Sequence, residues 1–325
     1  MQLLRGFLHL VARATTGALF LLACGQSALP QTATIKIVNP YPPGGTADII
    51  ARLLGDQIGR TQGVTMVVEN RPGGGTVIGT EAAARAAPDG STLLITSVAF
   101  VINPHVRKLN YDPLASFEPI CNLVQSPQVI VANGGSPYRT MADLTNAARA
   151  KPGQLTFAST GPASPSHVAF EMEKRIAGLD MIYVPFPGNA PVVNAVLGGH
   201  VTVGVANYAD VVGHLKVGTL RALATTSPTR IEALPDLPTA AEAGHKALEY
   251  DIWFGMLAPA KTPKNIVSQL SGWFVAAMQV PAIKAKLVEQ GLYPVGACGA
   301  EFATELRRQH ADYGRIIREA NIKAE

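Results

Sequence analysis

Short apolar runs of period two alternate along this chain with longer stretches of helical period, and the sharpest instance is residues 35–54, IKIVNPYPPGGTADIIARLL. Ile35, Ile37 and Val38 sit in a short β-branched run that predicts a strand, and Ile49, Ile50, Leu53 and Leu54 predict a helix from Asp48 onward. Between the two, Pro42 and Pro43 fix φ and remove donors, while Gly44 and Gly45 permit φ > 0 and a close approach by another molecule. A loop of this kind leaves N–H groups unpaired at the positive end of a helix dipole, which is an anion site in outline.

The same succession recurs. Thr65 to Glu69 predicts a strand, Gly73 to Gly75 lead into a helix through Ala86, and Pro88-Asp89-Gly90 turns the chain into a strand at Leu93 to Ser97. Farther on, Val129 to Ala132 reads as a strand, Tyr138 to Ala150 as a helix ended by Pro152-Gly153, and Thr156 to Ala158 as a strand. The loop Ser159 to His167, STGPASPSH, offers Ser164 as an N-cap and Pro165 in the first helical position. The strand Met181 to Val184 then runs through Pro187, Gly188 and Asn189 into a helix ending at Gly198-Gly199. Val201 to Ala206 and Arg221 to Thr225 read as strands, with Asn207-Tyr208-Ala209-Asp210 as a loop between them. Tyr250 to Pro259 reads as a return crossover, and helices follow at Pro263 to Met278, Pro281 to Gln290 and Glu301 to Ala320. The order predicts an α/β fold of doubly wound, mainly parallel sheets flanked by helices. We place domain 1 at residues 31–130 and 250–325 and an inserted domain 2 at 131–249. Ligands of open α/β sheets sit beyond the carboxyl ends of the strands, so the three strand–loop–helix junctions are expected to face one cleft.

Composition narrows the function. With 325 residues, 47% of them hydrophobic, the chain can bury a large core, and its 27 basic against 23 acidic residues form no Lys/Arg block. Nucleic acid and polybasic membrane binding therefore have no support. The N-terminus carries Arg5 and Arg13, an apolar run from Thr16 to Ala23, and small and polar residues through Ala33, the layout of a secretory leader over residues 1–30. Leu21-Leu22-Ala23-Cys24 resembles a lipobox, so cleavage within Gly25 to Ala33 and acylation of Cys24 stand as alternatives, and a periplasmic location is expected with either ending. Cys121 and Cys298 then remain, as a disulfide or as two buried thiols, and neither lies beside a His or Cys at metal-ligand spacing. No metal or cofactor is expected. GGGTVIG lacks the Gly-Lys-Ser/Thr ending of a phosphate loop, which argues against nucleotide hydrolysis.

YPPGGTADIIARLL, VVENRPGGG, APDGSTLL, FASTGPASPSH, VPFPGNAP, LGGHV, LPTAAEAG and WFGMLAPAKTP stand in an order and spacing that resembles the tripartite tricarboxylate transporter receptors, or Bug solute-binding proteins. The likeness covers essentially the whole mature chain. It implies a two-domain, periplasmic-binding-protein-like fold that closes around a small organic carboxylate, works as a monomer and delivers its ligand to membrane transporter subunits. Carried onto this chain, the first-domain contacts are Tyr41, Pro43, Gly44, Gly45 and Asp48, with Thr96 and Ser97. Those of the second domain are Ser159, Thr160, Gly161, Ser164, His167, Phe186, Gly188, Asn189 and Ala190. The chain departs from the family's pattern in carrying Phe186-Pro187-Gly188 for Tyr-x-Gly, Thr202 for an Asp, and the stiffer Gly161-Pro162-Ala163-Ser164 loop for Gly-x-Gly-Ser.

Neutral N–H and hydroxyl donors stabilise a carboxylate without a buried counter-charge, which suits such a receptor. Asp48 also reads as a first-turn residue answering the helix dipole, His167 as hydrogen-bonding within its own loop, and Trp253 as hinge packing. The rival reading is an exported hydrolase with Ser164 as nucleophile and His167 as base one helical turn away. The sequence has no strained Gly-x-Ser-x-Gly elbow and no acid placed to orient the imidazole. A ligand sensor for a signalling partner would use the same binding chemistry as a transport receptor.

Overall fold

The structure is a computed structural model, and it describes residues 34–161, 164–186, 188–320 and 322. The leader and Cys24 lie outside the described residues, as do Pro162, Ala163 and Pro187. The strands are β1 Thr34–Asn39, β2 Thr65–Asn70, β3 Thr92–Ser97, β4 Phe117–Ser126, β5 Gln128–Asn133, β6 Leu155–Ser159, β7 Met181–Pro185, β8 Val203–Asn207, β9 Leu220–Thr225, β10 Ile252–Pro259 and β11 Tyr293–Cys298. The helices are α1 Thr46–Gln62, α2 Val77–Ala84, α3 Ala99–Val106, α4 Met141–Ala150, α5 Pro165–Ala177, α6 Asn189–Leu197, α7 Tyr208–Lys216, α8 Lys264–Gln279, α9 Pro281–Glu289 and α10 Ala300–Ala320.

Two sheets form. One has the order β11-β4-β10-β3-β1-β2 and the other β7-β6-β8-β5-β9. The expected parallel ladders are there, β1 with β2 and β3, and β6 with β7 and β8. Each sheet is nevertheless mixed, because the strands that carry the chain between sheets pair antiparallel: β10 with β3 and β4, β4 with β11, and β5 with β8 and β9. The segment read as a return crossover is thus a strand, β10, buried along its whole length in the middle of the first sheet.

Register places the ends of these strands. Ser97 at the end of β3 lies opposite Phe254, and Ser126 at the end of β4 opposite Ile252. Gln128 at the start of β5 lies opposite Asn207 at the end of β8, and Val129 opposite Thr225 at the end of β9. The carboxyl ends of β3 and β8 therefore flank the same two crossovers, Ser126-Pro127-Gln128 and Tyr250-Asp251. The crossovers are tied together: the Tyr250 hydroxyl donates to Gln128 Oε1 at 2.7 Å, and Gln128 Nε2 donates to Asn207 Oδ1 at 3.0 Å.

The first sheet and its helices share one core, in which Ile37, Ile50, Leu54, Leu93, Met256, Phe274 and Phe302 are fully buried. The second sheet is covered on both faces, by a cluster around Phe157 and Phe170 and by one around Val192, Val196 and Val211. Cys121 and Cys298, opposite each other on β4 and β11, form a disulfide, which settles the choice that the sequence left open. Among the described residues no single helix is long and apolar enough to cross a membrane, and no group of three His, Cys, Asp or Glu is placed to hold a metal.

Candidate functional site

The loop after β1 is built around Asp48. Its carboxylate accepts from the Gly44 N–H at 3.1 Å, from Asn70 Nδ2 at 2.9 Å, and from Arg52 Nε and Nη2 at 2.9 and 3.1 Å. Burial by itself raises such a carboxyl, but the hydrogen bonds from Arg52, Gly44 and Asn70 outweigh it and hold Asp48 at about 2. Asp48 thus folds the loop back over the helix start rather than standing free within it. Gly44 takes φ +78°, which L side chains rarely adopt, whereas Gly45 is extended at φ −80° and a Cβ there would meet only Pro42 O at 3.6 Å. The conformational need for glycine therefore falls on Gly44 alone. No side chain caps the N-terminus of α1, so its first N–H groups stay available at the end of a 17-residue helix.

Beside this loop the Tyr41 hydroxyl and Ser97 Oγ are 2.6 Å apart, and burial pushes the Tyr41 phenol up. Asn39 and Thr96, at the ends of β1 and β3, are fully buried, yet Asn39 Nδ2 has no hydrogen-bond partner among the described residues. A buried polar atom without a partner is rare enough to call for an explanation, and this one stands at a strand end next to an exposed loop that includes Pro43.

The second sheet presents two such junctions. Ser164 caps α5 as its position predicts, accepting from the His167 N–H at 3.2 Å, and its Oγ lies 3.1 Å from both Ser159 Oγ and Ser166 Oγ. Ser159 Oγ is also 3.4 Å from the Tyr183 hydroxyl, whose pKa burial pushes up to about 12 against the opposing hydrogen bond to Ser159. The His167 ring stacks on Tyr183 with centroids 3.9 Å apart, and its Nε2 is 3.7 Å from Glu171 Oε1. Burial lowers its pKa and Glu171 opposes the shift. The Ser164–His167 bond that a nucleophile and base would share is made here by the main chain of His167 as part of a helix cap.

Phe186 ties the third junction to the second through its N–H, which donates to Ser159 O at 3.0 Å. Gly161 and Gly188 take φ +111° and +134°, and α6, like α1, has no side-chain cap among the described residues. Asn189 Oδ1 is buried without a hydrogen-bond partner among the described residues, while Ala190 is exposed and Thr160 half-buried.

A cavity of about 460 Å³ joins the first junction to the third. Its walls are Gly44, Gly45, Thr46 and Ile49 from one side, Asn189 and Asp210 from the other, and Glu289. Of the residues expected from the sequence it gathers Gly44, Gly45 and Asn189. Tyr41 with Ser97, and Ser159 with Ser164, stand as two hydrogen-bonded clusters at the neighbouring strand ends. Thr46, Asn70, Tyr183, Asp210 and Glu289 escape sequence reasoning. Asn70 had a signal, since it ends β2 level with Asn39 on β1. Asp210 had none, because the segment read as a loop is the first turn of α7.

The Tripartite tricarboxylate transporter family receptor model matches residues 50–322. Protein BugT of Bordetella pertussis is 31% identical over 89% of this chain and 90% of its own length. Among solved structures, periplasmic binding protein BugD is 31% identical with a TM-score of 0.79, covering 91% of this chain and all of its own. The R. palustris protein Rpa4515 with adipate is 28% identical with a TM-score of 0.81, covering 90% of this chain and 99% of its own. MatC of Rhodopseudomonas palustris with bound malate is 26% identical with a TM-score of 0.75, covering 89% of this chain and all of its own. A family match over most of the chain, relatives above 30% identity along nearly their full length, and a fold shared with periplasmic binding proteins converge: the chain belongs to the tripartite tricarboxylate transporter receptor family, the family of the Bug proteins.

Proposed function

We propose that the protein is a periplasmic receptor that captures a small organic carboxylate between its two sheets and delivers it to a tripartite tricarboxylate-type membrane transporter, without catalysing a reaction. One observation carries this reading: two helix N-termini without side-chain caps, α1 from the first sheet and α6 from the second, open on a single cavity. Each N-terminus is worth ~0.3–1 kcal/mol to an anion, and up to ~2 kcal/mol when partly buried. Hydrogen bonds from neutral donors to a charged acceptor add roughly 1.5–3 kcal/mol apiece, so three or four of them with some apolar contact reach the roughly 8 kcal/mol of a micromolar complex. The bound adipate and malate of the two relatives support the ligand class.

In this reading residues 31–130 and 250–325 form one domain and 131–249 the other. Ser126–Gln128 and Tyr250–Asp251 serve as the hinge, and closure is driven by contacts made only when donors of both domains reach the ligand. Ser164, Ser159 and Tyr41 are the hydroxyl donors, and Asp48 positions the first loop.

A thermal-shift screen of malate, adipate, citrate and aromatic carboxylates against neutral diols tests the reading. A ligand at 100 times its Kd stabilises the folded state by about 2.7 kcal/mol, so a cognate acid raises the midpoint and the diols do not. A flat response to every carboxylate would contradict the assignment.

A further inference from the structure

A second cavity, of about 1150 Å³, lies beneath α10 and reaches Pro165 at the start of α5. Its walls come from both sheets and from the crossover between them: Val168 and Met172 of α5, Tyr250 and Asp251, and Trp253 and Asn122 of β10 and β4. Asn122 is only 6% exposed, and its Oδ1 has no hydrogen-bond partner among the described residues. A buried amide oxygen at the wall of a cavity is an acceptor waiting for a donor.

Carboxylates outnumber cations around the cavity, five to three. Its three cations are engaged, Lys246 with Glu249, Arg308 with Glu305 and Asp312, and Arg315 with Asp312. Two further carboxylates of the wall, Asp251 and Glu301, have no ion pair among the described residues. Burial pushes the Asp251 carboxyl up, as expected of a carboxylate stripped of water without gaining a cation, and Ser227 only partly offsets this. What Asp251 and Glu301 lack is a positive partner carrying N–H donors. The Tyr250 ring and the apolar stem of Met172, both half-buried at the wall, suit a ligand whose ammonium is borne on a short hydrocarbon chain.

We propose that this groove is a second binding site, for a diamine, with Asn122 Oδ1 and Glu301 as acceptors for one ammonium and Asp251, some four residues farther along the β4–β10 ladder, as acceptor for the other. The site shares no lining residue with the strand-end cavity. Calorimetric titration with 1,5-diaminopentane tests it, with 1,5-pentanediol as the neutral compound of equal length. Saturable binding of the diamine and none of the diol is the expected result. Removing one charge-assisted bond is expected to weaken the diamine about tenfold in each of Asn122→Leu, Asp251→Asn and Glu301→Gln. Glu301 is exposed, so its variant folds even where a buried substitution disturbs the fold. Absence of saturable heat at millimolar diamine would overturn the proposal. So would equal binding of the diol, or an affinity unchanged in Asp251→Asn and Glu301→Gln, which would place the amine elsewhere.

Discussion

Substituting Asp48 with alanine separates a residue that shapes the binding loop from one that touches the ligand. Asp48 is 5% exposed and accepts from Gly44, Asn70 and Arg52. The two neutral donors each contribute roughly 1.5–3 kcal/mol to a charged acceptor when buried. The Arg52 side chain is 52% exposed, so its ion pair adds only about 0.5 kcal/mol. Gly44 is exposed and its N–H rehydrates in the variant, so its bond contributes little, and the Asn70 bond with the ion pair leaves about 2–3 kcal/mol. For a chain of this size that lowers the melting midpoint by roughly 4–12 °C. Ligand affinity falls too, because Gly44 at φ +78° is no longer held; if a tenth of the loops stay competent, Kd rises about tenfold. The pH dependence supplies a control. A carboxyl held at about 2 rather than 3.8 contributes stability that is present above pH 4 and lost as pH falls toward 2, so the gap between wild type and variant narrows over that window. A midpoint within ~1 °C of wild type together with unchanged affinity would refute the reasoning.

Three further outcomes are expected. Ser164→Ala costs ~1 kcal/mol through loss of the helix cap and weakens carboxylate binding, and an affinity unchanged by calorimetry would leave Ser164 a cap only. His245→Ala costs ~3 kcal/mol in urea unfolding, because it strips the buried Glu173 carboxylate of its 2.8 Å partner and Thr145 of a 3.2 Å one; a cost below ~1 kcal/mol would contradict that account. His105 packs on His310 with ring centroids 4.3 Å apart, and burial, then His310 and Arg318, lower its pKa, so below pH ~6.5 the unfolded chain takes up a proton that the native state resists. Stability therefore falls from about pH 7 to 5.5, and His105→Asn flattens part of that slope, the rest belonging to groups such as His167 that shift the same way; an identical slope would remove His105 from the account.

The three strand–loop–helix junctions were legible because each combines an apolar run, a Pro/Gly loop and a helical face within about 20 residues. The cap at Ser164 and the glycine need of the first loop were local matters that sequence chemistry reaches, although it could not say that Gly44 rather than Gly45 bears the left-handed conformation. What escaped was set by tertiary context. The strand β4 carries Pro119 and is mostly buried, so it shows no alternation, and β10 looked like a connector because its eight residues are all buried. The helix α3 contains Pro104, and Asn207 at the start of α7 makes no side-chain cap bond among the described residues, so neither announces itself locally. The antiparallel pairings that make both sheets mixed follow from the chain's return path, which no local pattern encodes. Tyr183 enters the candidate site only because β6 and β7 pair in register, Phe157 beside Tyr183, and bring its hydroxyl to Ser159.

A crystal structure of the protein with the carboxylate that gives the largest thermal shift tests the central claim most directly. The account predicts the carboxylate within hydrogen-bond reach of N–H groups at Gly44–Thr46 on one side and of Gly188, Asn189 or the Ser164 hydroxyl on the other. A ligand held by one sheet alone, or seated beneath α10, would contradict it.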